Sequence, residues 1–225
     1  MDYHRRQILK TTSAALAAVG FPAIAAELLP TPAQMRGPFY PLNFPLDQDN
    51  DLASVKGREG KAFGEILNVA GRILDSRGRP HAGVKIEIWQ VNGHGRYHHE
   101  HDDRDNPMDP NFQGYGFAVT GADGTYRFRT VKPVAYPGRA PHIHFALTRK
   151  DFGTFSTQMY LAGAPENERD FLLSRVRERK ARESLVVALA PAAGGELAGI
   201  FDIVLARDAG LERGAVPPGY RMARG

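Results

Sequence analysis

The chain has no cysteine among its 225 residues and one tryptophan. The missing thiols exclude disulfides, zinc–thiolate sites and iron–sulfur clusters. Any metal must therefore be held by His, Tyr, Asp or Glu. There is also no apolar run long enough to span a bilayer as a mature transmembrane helix, so no stable membrane anchor is expected. Charge of one sign is equally scarce, with 29 Lys+Arg against 25 Asp+Glu. Setting aside Arg5, Arg6, Lys10 and Asp2 near the start leaves 26 against 24. That balance lacks the basic excess of a nucleic-acid-binding surface, and no nucleic-acid partner is expected. What remains is the profile of a soluble globular chain, 42% apolar and 24% charged, sized for one sizeable domain.

Four stretches differ in character. Residues 1–26 carry a basic start (Arg5, Arg6, Lys10), an apolar run from Ala14 to Ala26 and small residues, Ala23-Ile24-Ala25-Ala26, that suit signal cleavage. The paired arginines resemble a bacterial twin-arginine export signal, so the expectation is an exported protein, periplasmic or extracellular. Residues 27–62, with Pro30, Pro32, Pro38, Pro41 and Pro45, read as an extended arm lying on the domain. Residues 63–207 carry the strand signals. Residues 208–225, rich in Gly, Pro and Arg, read as an irregular tail.

Within 63–207, Ile66 to Asp75 is strand-like and runs into the turn cluster Ser76-Arg77-Gly78-Arg79-Pro80. Val84 to Trp89 alternates apolar and mostly polar residues with period two. Tyr115 to Thr120 and Thr125 to Arg129 flank Gly121-Ala122-Asp123-Gly124, the pattern of a hairpin with an Asp-Gly turn. His142 to Leu147, Phe155 to Leu161, Leu185 to Leu189 and Ile200 to Leu205 supply further strands. Only Glu166 to about Ala181 reads as helical, with Phe171, Leu172 and Val176 on one face. Short strands separated by turns indicate an all-β sandwich or barrel.

The most informative feature is His142-Ile143-His144. On a strand, residues i and i+2 project from the same face, so two imidazoles would point together from a rigid element. By itself the pair is compatible with several metals, or with two hydrogen-bonded surface histidines. A second histidine group, His94, His98, His99 and His101, lies in a very polar segment that reads as a solvated loop. Tyr97 stands out inside it as an aromatic residue.

An ordered set of motifs resembles the intradiol ring-cleavage dioxygenases. The segments are Glu87-Ile88-Trp89-Gln90-Val91-Asn92, Gly95-Arg96-Tyr97, Asp109-Pro110-Asn111-Phe112, Gly121 to Tyr126, Arg139-Ala140-Pro141-His142-Ile143-His144-Phe145 and Thr157-Gln158-Met159-Tyr160. They run in family order over about residues 64–206. The resemblance implies an all-β sandwich of mostly antiparallel strands with one short helix and long irregular loops. It implies a non-haem Fe(III) held by Tyr97, Tyr136, His142 and His144; phenolates are hard anionic donors that suit a ferric ion. It implies cleavage of a catechol by O2 between the hydroxyl-bearing carbons, giving a cis,cis-muconate-type product. In that scheme Tyr136 leaves the metal and accepts a substrate proton. Arg139 lies near the substrate and stabilises negative charge on the ring, while Gln158 supports a ligand or an oxygen intermediate. Tyr40 would line the substrate mouth, Trp89 would pack in the core, and the chain would assemble as a homo-oligomer.

One departure from the family pattern bears on substrate. Only Pro137-Gly138-Arg139-Ala140-Pro141 separate Tyr136 from His142, a shorter connection than in the protocatechuate and catechol enzymes. A shorter loop should open the pocket to bulkier catechols. The rival readings are a sandwich binding module without a metal, and a copper or zinc enzyme using the histidine pair alone.

Overall fold

The computed structural model describes residues 27–151 and 153–206; the expected export signal and irregular tail lie outside the described residues. In chain order the strands are β1 (Ile66–Asp75), β2 (Lys85–Trp89), β3 (Tyr115–Val119), β4 (Thr125–Val131), β5 (His142–Arg149), β6 (Gly153–Leu161), β7 (Val186–Val187), β8 (Ala190–Pro191), β9 (Leu197–Ile200) and β10 (Ile203–Leu205). The single α-helix among the described residues, α1, spans Arg179–Glu183. One sheet is organised on β1, which pairs antiparallel with β4 and parallel with β9 and β10; β8 joins antiparallel to β9. The second runs β3-β2-β5-β6-β7, antiparallel except for the β6–β7 pair. The architecture is an all-β sandwich with two mixed sheets, antiparallel pairs predominating.

Strand alternation builds the core and places the site. Leu67, Val69 and Ile73 of β1, Ile86 and Ile88 of β2, Phe128 of β4 and Ile143, Phe145 and Leu147 of β5 fill the main apolar cluster. Each such buried side chain contributes roughly 1.5–3 kcal/mol relative to exposure. The intervening residues of β5, His142, His144 and Ala146, belong by period two to the other face. There Ala146 joins a smaller buried cluster with Trp89, Val91, Tyr97 and Tyr115. The hairpin expected from Tyr115–Thr120 and Thr125–Arg129 does not form: β3 pairs with β2 and β4 with β1, so the turn at Gly124 (φ +74°) carries the chain from one sheet to the other, with Asp123 Oδ1 accepting from the Thr125 amide at 3.2 Å.

The segment before β1 is tied to both sheets. The amides of Thr31, Gln34 and Leu52 donate to the carbonyls of Val204, Ser156 and Arg129 at 2.9, 2.8 and 2.7 Å. Leu52 and Ala53 are fully buried in the main core.

Three further expectations need correction. The helix expected over Glu166 to about Ala181 does not form. Pro165–Glu168 is a 3-10 turn, and the segment then wraps around Asp170, whose Oδ1 accepts the amides of Leu172 and Leu173 at 3.0 Å each. A side chain that satisfies local amides competes with the helical pattern. The helix starts only after Glu178, which is extended and caps the amides of Lys180 and Ala181. The strand expected over Ile200–Leu205 is two strands. Its break falls at Asp202, whose carboxylate accepts the Arg72 amide at 2.8 Å, while the Phe201 amide donates to Ala70 O at 2.8 Å. Of Leu185–Leu189, only Val186–Val187 pairs as a strand.

Candidate metal centre

β5 supplies the two imidazoles and loops supply two phenols. In the antiparallel register His142 lies opposite Tyr160, His144 opposite Gln158, and His144 also opposite Trp89 of β2. Trp89 stacks flat on the His144 ring, centroids 4.8 Å apart at 8°. His142 Nδ1 lies 2.6 Å from Ala140 O. A carbonyl only accepts, so Nδ1 carries the proton and Nε2 presents its lone pair. Both histidines are buried. Burial, and after it the Arg139 charge, pushes the His142 imidazolium down to about 3. Burial and then His142 hold His144 well below its ordinary value. The two rings are therefore neutral, as metal ligands must be.

Tyr97 follows a tight loop in which Asn92 Oδ1 accepts the amides of His94 and Arg96 at 2.9 and 3.0 Å. Asp102 Oδ2 then fixes the Tyr97 amide at 2.7 Å. Tyr136 opens a turn closed by the Arg139 amide donating to Tyr136 O at 2.8 Å. Pro137 followed by Gly138 at φ +78° is the pairing of a type II turn, which explains the short connection to His142.

These elements bring four donor atoms together. Tyr97 Oη is 3.0 Å from His144 Nε2 and 3.3 Å from His142 Nε2; the two Nε2 atoms are 3.2 Å apart, and Tyr136 Oη is 3.5 Å from His142 Nε2. Two donors each about 2.1 Å from a shared first-row ion stand about 3.0 Å apart at a right angle and about 3.6 Å apart at 120°. The observed separations fall in that interval, so the residues fit a metal ion. Among the described residues no three His, Asp or Glu side chains form a metal-binding group. The donors that stand beside the imidazole pair are the two phenols. Burial raises both phenols above their ordinary value: for Tyr97 the neighbouring Tyr136 adds to it, and for Tyr136 the charges of Arg139 and Arg104 work against it. Both phenols therefore need a strong adjacent cation to ionise.

Arg139 is buried beside this cluster. Its Nε donates to Asp170 Oδ2 at 2.9 Å, its Nη2 to Gln158 Oε1 at 2.5 Å, and its Nη1 lies 3.5 Å from Tyr136 Oη. Gln158 donates in turn to Met35 O at 3.1 Å, which links Arg139 to the arm. Tyr136, Gly138, Arg139, Pro165, Glu166 and Arg169 line a cleft of about 290 Å³. Tyr97 is buried, whereas Tyr136 is only partly buried and lines this cleft.

The structure does not bring Tyr40 to the four donors. Its hydroxyl donates to Glu87 Oε1 at 3.0 Å and its ring packs edge-on against Trp89 at 5.0 Å. The arm residues that reach the centre are its neighbours. Phe39 stacks on Tyr97 at 4.6 Å, and a Cβ on Gly37 would sit 3.3 Å from His144 Cε1. Arg104 is another residue that sequence reasoning missed. Clamped by Asp102, it lies with its guanidinium carbon 4.4 Å from the Tyr136 ring centroid. Asp170 is a third; nothing in its local sequence marks it. The remaining loop histidines stay apart from the donors: His94 stacks on Phe63 at 4.2 Å, and His99 packs on Phe39 and His101.

Comparison with known proteins adds to this geometry. Residues 35–207 match the family model described as Dioxygenase. The protocatechuate 3,4-dioxygenase beta chain of Burkholderia cepacia is 43% identical over 147 residues, covering 56% of this chain and 63% of that protein. A hydroxyquinol 1,2-dioxygenase of Rhizobium sp. is 34% identical over 142 residues, covering 55% of this chain and 45% of that protein. The chain thus spans about half to two thirds of these relatives. The dioxygenase domain of a dioxygenase–carbohydrate-binding fusion from Streptomyces sp. SirexAA-E superposes with a TM-score of 0.60 at 30% identity, covering 79% of this chain and 98% of that domain. An intradiol ring-cleavage dioxygenase from Tetranychus urticae, 23% identical, shares the fold with a TM-score of 0.61 over 79% of this chain and 94% of that one.

Proposed function

Since the chain belongs to the intradiol ring-cleavage dioxygenases, we propose that it opens a catechol between its two hydroxyl-bearing carbons with O2, at a non-haem Fe(III) held by Tyr97, Tyr136, His142 and His144. The observation that carries this reading is the convergence of two phenol oxygens and two imidazole nitrogens at 3.0–3.5 Å. A bound ferric ion would supply Lewis acidity, holding both catechol oxygens and withdrawing electron density from the ring.

The chain's own residues do the rest. Phe39 and Trp89 pack against Tyr97 and His144, so those two side chains are held in place. Tyr136 borders the cleft, so its oxygen is the one placed to accept a proton from an incoming hydroxyl. Arg139 Nη1 stands beside that oxygen, where negative charge develops on the substrate. Asp170 and Gln158 fix the guanidinium beforehand, so no reorganisation is needed at the moment of reaction. The Pro137-Gly138 turn leaves the Tyr136 side of the cleft uncovered by a longer loop, which favours catechols bulkier than catechol itself.

The ligand assignment is tested by colour. Phenolate-to-ferric charge transfer makes the purified protein red-brown, and Tyr97→Phe and Tyr136→Phe each shift or bleach that band. A spectrum unchanged in both variants would overturn the ligand set.

A further inference from the structure

Two routes of hydrogen bonds join the arm to the Arg139 guanidinium. In the first, Met35 O accepts from Gln158 Nε2 at 3.1 Å, and Gln158 Oε1 accepts from Arg139 Nη2 at 2.5 Å. The second runs through Tyr160, which lies opposite His142 on β6. Arg139 Nη2 also donates to Tyr160 Oη at 3.3 Å, and Tyr160 Oη stands 3.2 Å from both Gln34 Oε1 and Gln158 Oε1. Gln34, Gln158 and Tyr160 are all buried.

The backbone settles the direction of these bonds. A carbonyl only accepts, so the amide nitrogens of Gln34 and Gln158 face Leu172 O and Met35 O, at 3.3 and 3.1 Å. Both amide oxygens then face Tyr160 and Arg139. Tyr160 has one proton and two oxygens that could accept it. Gln158 Oε1 already takes the guanidinium at the shorter distance, whereas Gln34 Oε1 accepts no other hydrogen bond among the described residues. The Tyr160 proton therefore goes to Gln34, and Gln158 Oε1 is left to Arg139. Arg139 Nε is committed to Asp170 and Nη2 to Gln158 and Tyr160. That leaves Nη1 as the end presented to Tyr136 Oη, at 3.5 Å. Fastening the arm does not require the Gln34 side chain. The Gln34 amide donates to Ser156 O at 2.8 Å, and Thr157 Oγ1 donates to Pro32 O at 2.8 Å.

We propose that Gln34 is a positioning residue for ring cleavage, acting through Tyr160 on Arg139. By taking the Tyr160 proton it reserves Gln158 Oε1 for the guanidinium and so aims Nη1 at the Tyr136 oxygen. Without it, Tyr160 turns its proton to Gln158 Oε1 and competes with Arg139 for that atom. This rests on Arg139 acting on charge that develops on the substrate, as proposed above.

The test is steady-state oxygen uptake by the iron-loaded full chain on catechol. Gln34→Met keeps the side-chain length and loses both amide groups. Tyr160→Phe keeps the ring and loses the hydroxyl. Each is expected to lower kcat about tenfold with KM within about twofold, because the charge that Nη1 meets develops only in the transition state. The double variant should be no slower than the slower single one, since both break the same chain of bonds. In an Arg139→Met background neither substitution should lower kcat further. The phenolate-to-ferric band should shift in Gln34→Met in the same direction as in Arg139→Met. Unchanged kcat in Gln34→Met, or a further tenfold loss in the Arg139→Met background, would overturn the proposal and leave the ring-cleavage reading intact. Arg139→Met without loss of kcat would overturn the role given to Arg139, and the proposal with it.

Discussion

Replacing Asp170 by asparagine tests whether the buried Arg139–Asp170 pair holds the site together. The carboxylate accepts four hydrogen bonds: Oδ2 takes Arg139 Nε and the Ala140 amide at 2.9 Å each, and Oδ1 takes the amides of Leu172 and Leu173 at 3.0 Å each. An asparagine keeps one accepting oxygen. If that oxygen serves Leu172 and Leu173, the new NH2 faces two donors, Arg139 Nε and the Ala140 amide, and the guanidinium loses its counter-charge. Arg139 and Asp170 are 9% and 1% exposed, so water cannot replace what is lost. Breaking one partner of a buried pair costs about 3–5 kcal/mol. For a chain of this size that lowers Tm by on the order of 10 °C. Urea unfolding should show the loss as a lower midpoint at unchanged slope. Burial raises the Asp170 pKa, but the Leu173 amide, Arg139 and the Ala140 amide outweigh it and hold the carboxylate below its ordinary value. Its contribution is thus complete above the unfolded pKa of about 3.9 and is lost as pH falls through the lower folded value. The gap between the parent protein and Asp170→Asn should therefore narrow below about pH 3.9. A loss under about 1 kcal/mol at neutral pH would refute the claim that the pair organises this region.

Other perturbations follow from the same geometry. Gly37→Ala places a side chain at φ +76° with its Cβ 3.3 Å from His144 Cε1. It should cost roughly 1–2 kcal/mol of stability and lower iron retention on dialysis against a chelator; unchanged stability and iron content would contradict the close approach of the arm. Oxygen uptake on a panel of catechols should favour ring-substituted and two-ring members. Activity confined to unsubstituted catechol would contradict the role assigned to the Pro137-Gly138 turn.

The sequence was most legible where structure follows local period. Alternation in β2 and β5 separates Ile143, Phe145 and Leu147 from His142 and His144, and that separation carries both the core and the imidazole pair. Tyr97 and Tyr136 lie in loops, where no period operates, and only their place in an ordered set of motifs marks them. What could not be read depends on long-range side-chain bonds. Asp170 looks like one acidic residue in a helical pattern, yet its carboxylate serves Arg139, 31 residues away, and dissolves the helix by taking the amides of Leu172 and Leu173. Nor did the sequence show which residues of the arm over 27–62 face the centre. Gly37 and Phe39 reach His144 and Tyr97, whereas Tyr40 turns to Glu87.

The most direct test of the central claim is single-turnover reaction of the iron-loaded protein with a catechol under 18O2, followed by mass analysis of the product. Intradiol cleavage predicts a cis,cis-muconate-type dicarboxylate that incorporates oxygen from O2, with the cut between the two hydroxyl-bearing carbons. A ring-opened semialdehyde from cleavage beside the hydroxyls, or recovery of the unreacted catechol, would contradict it.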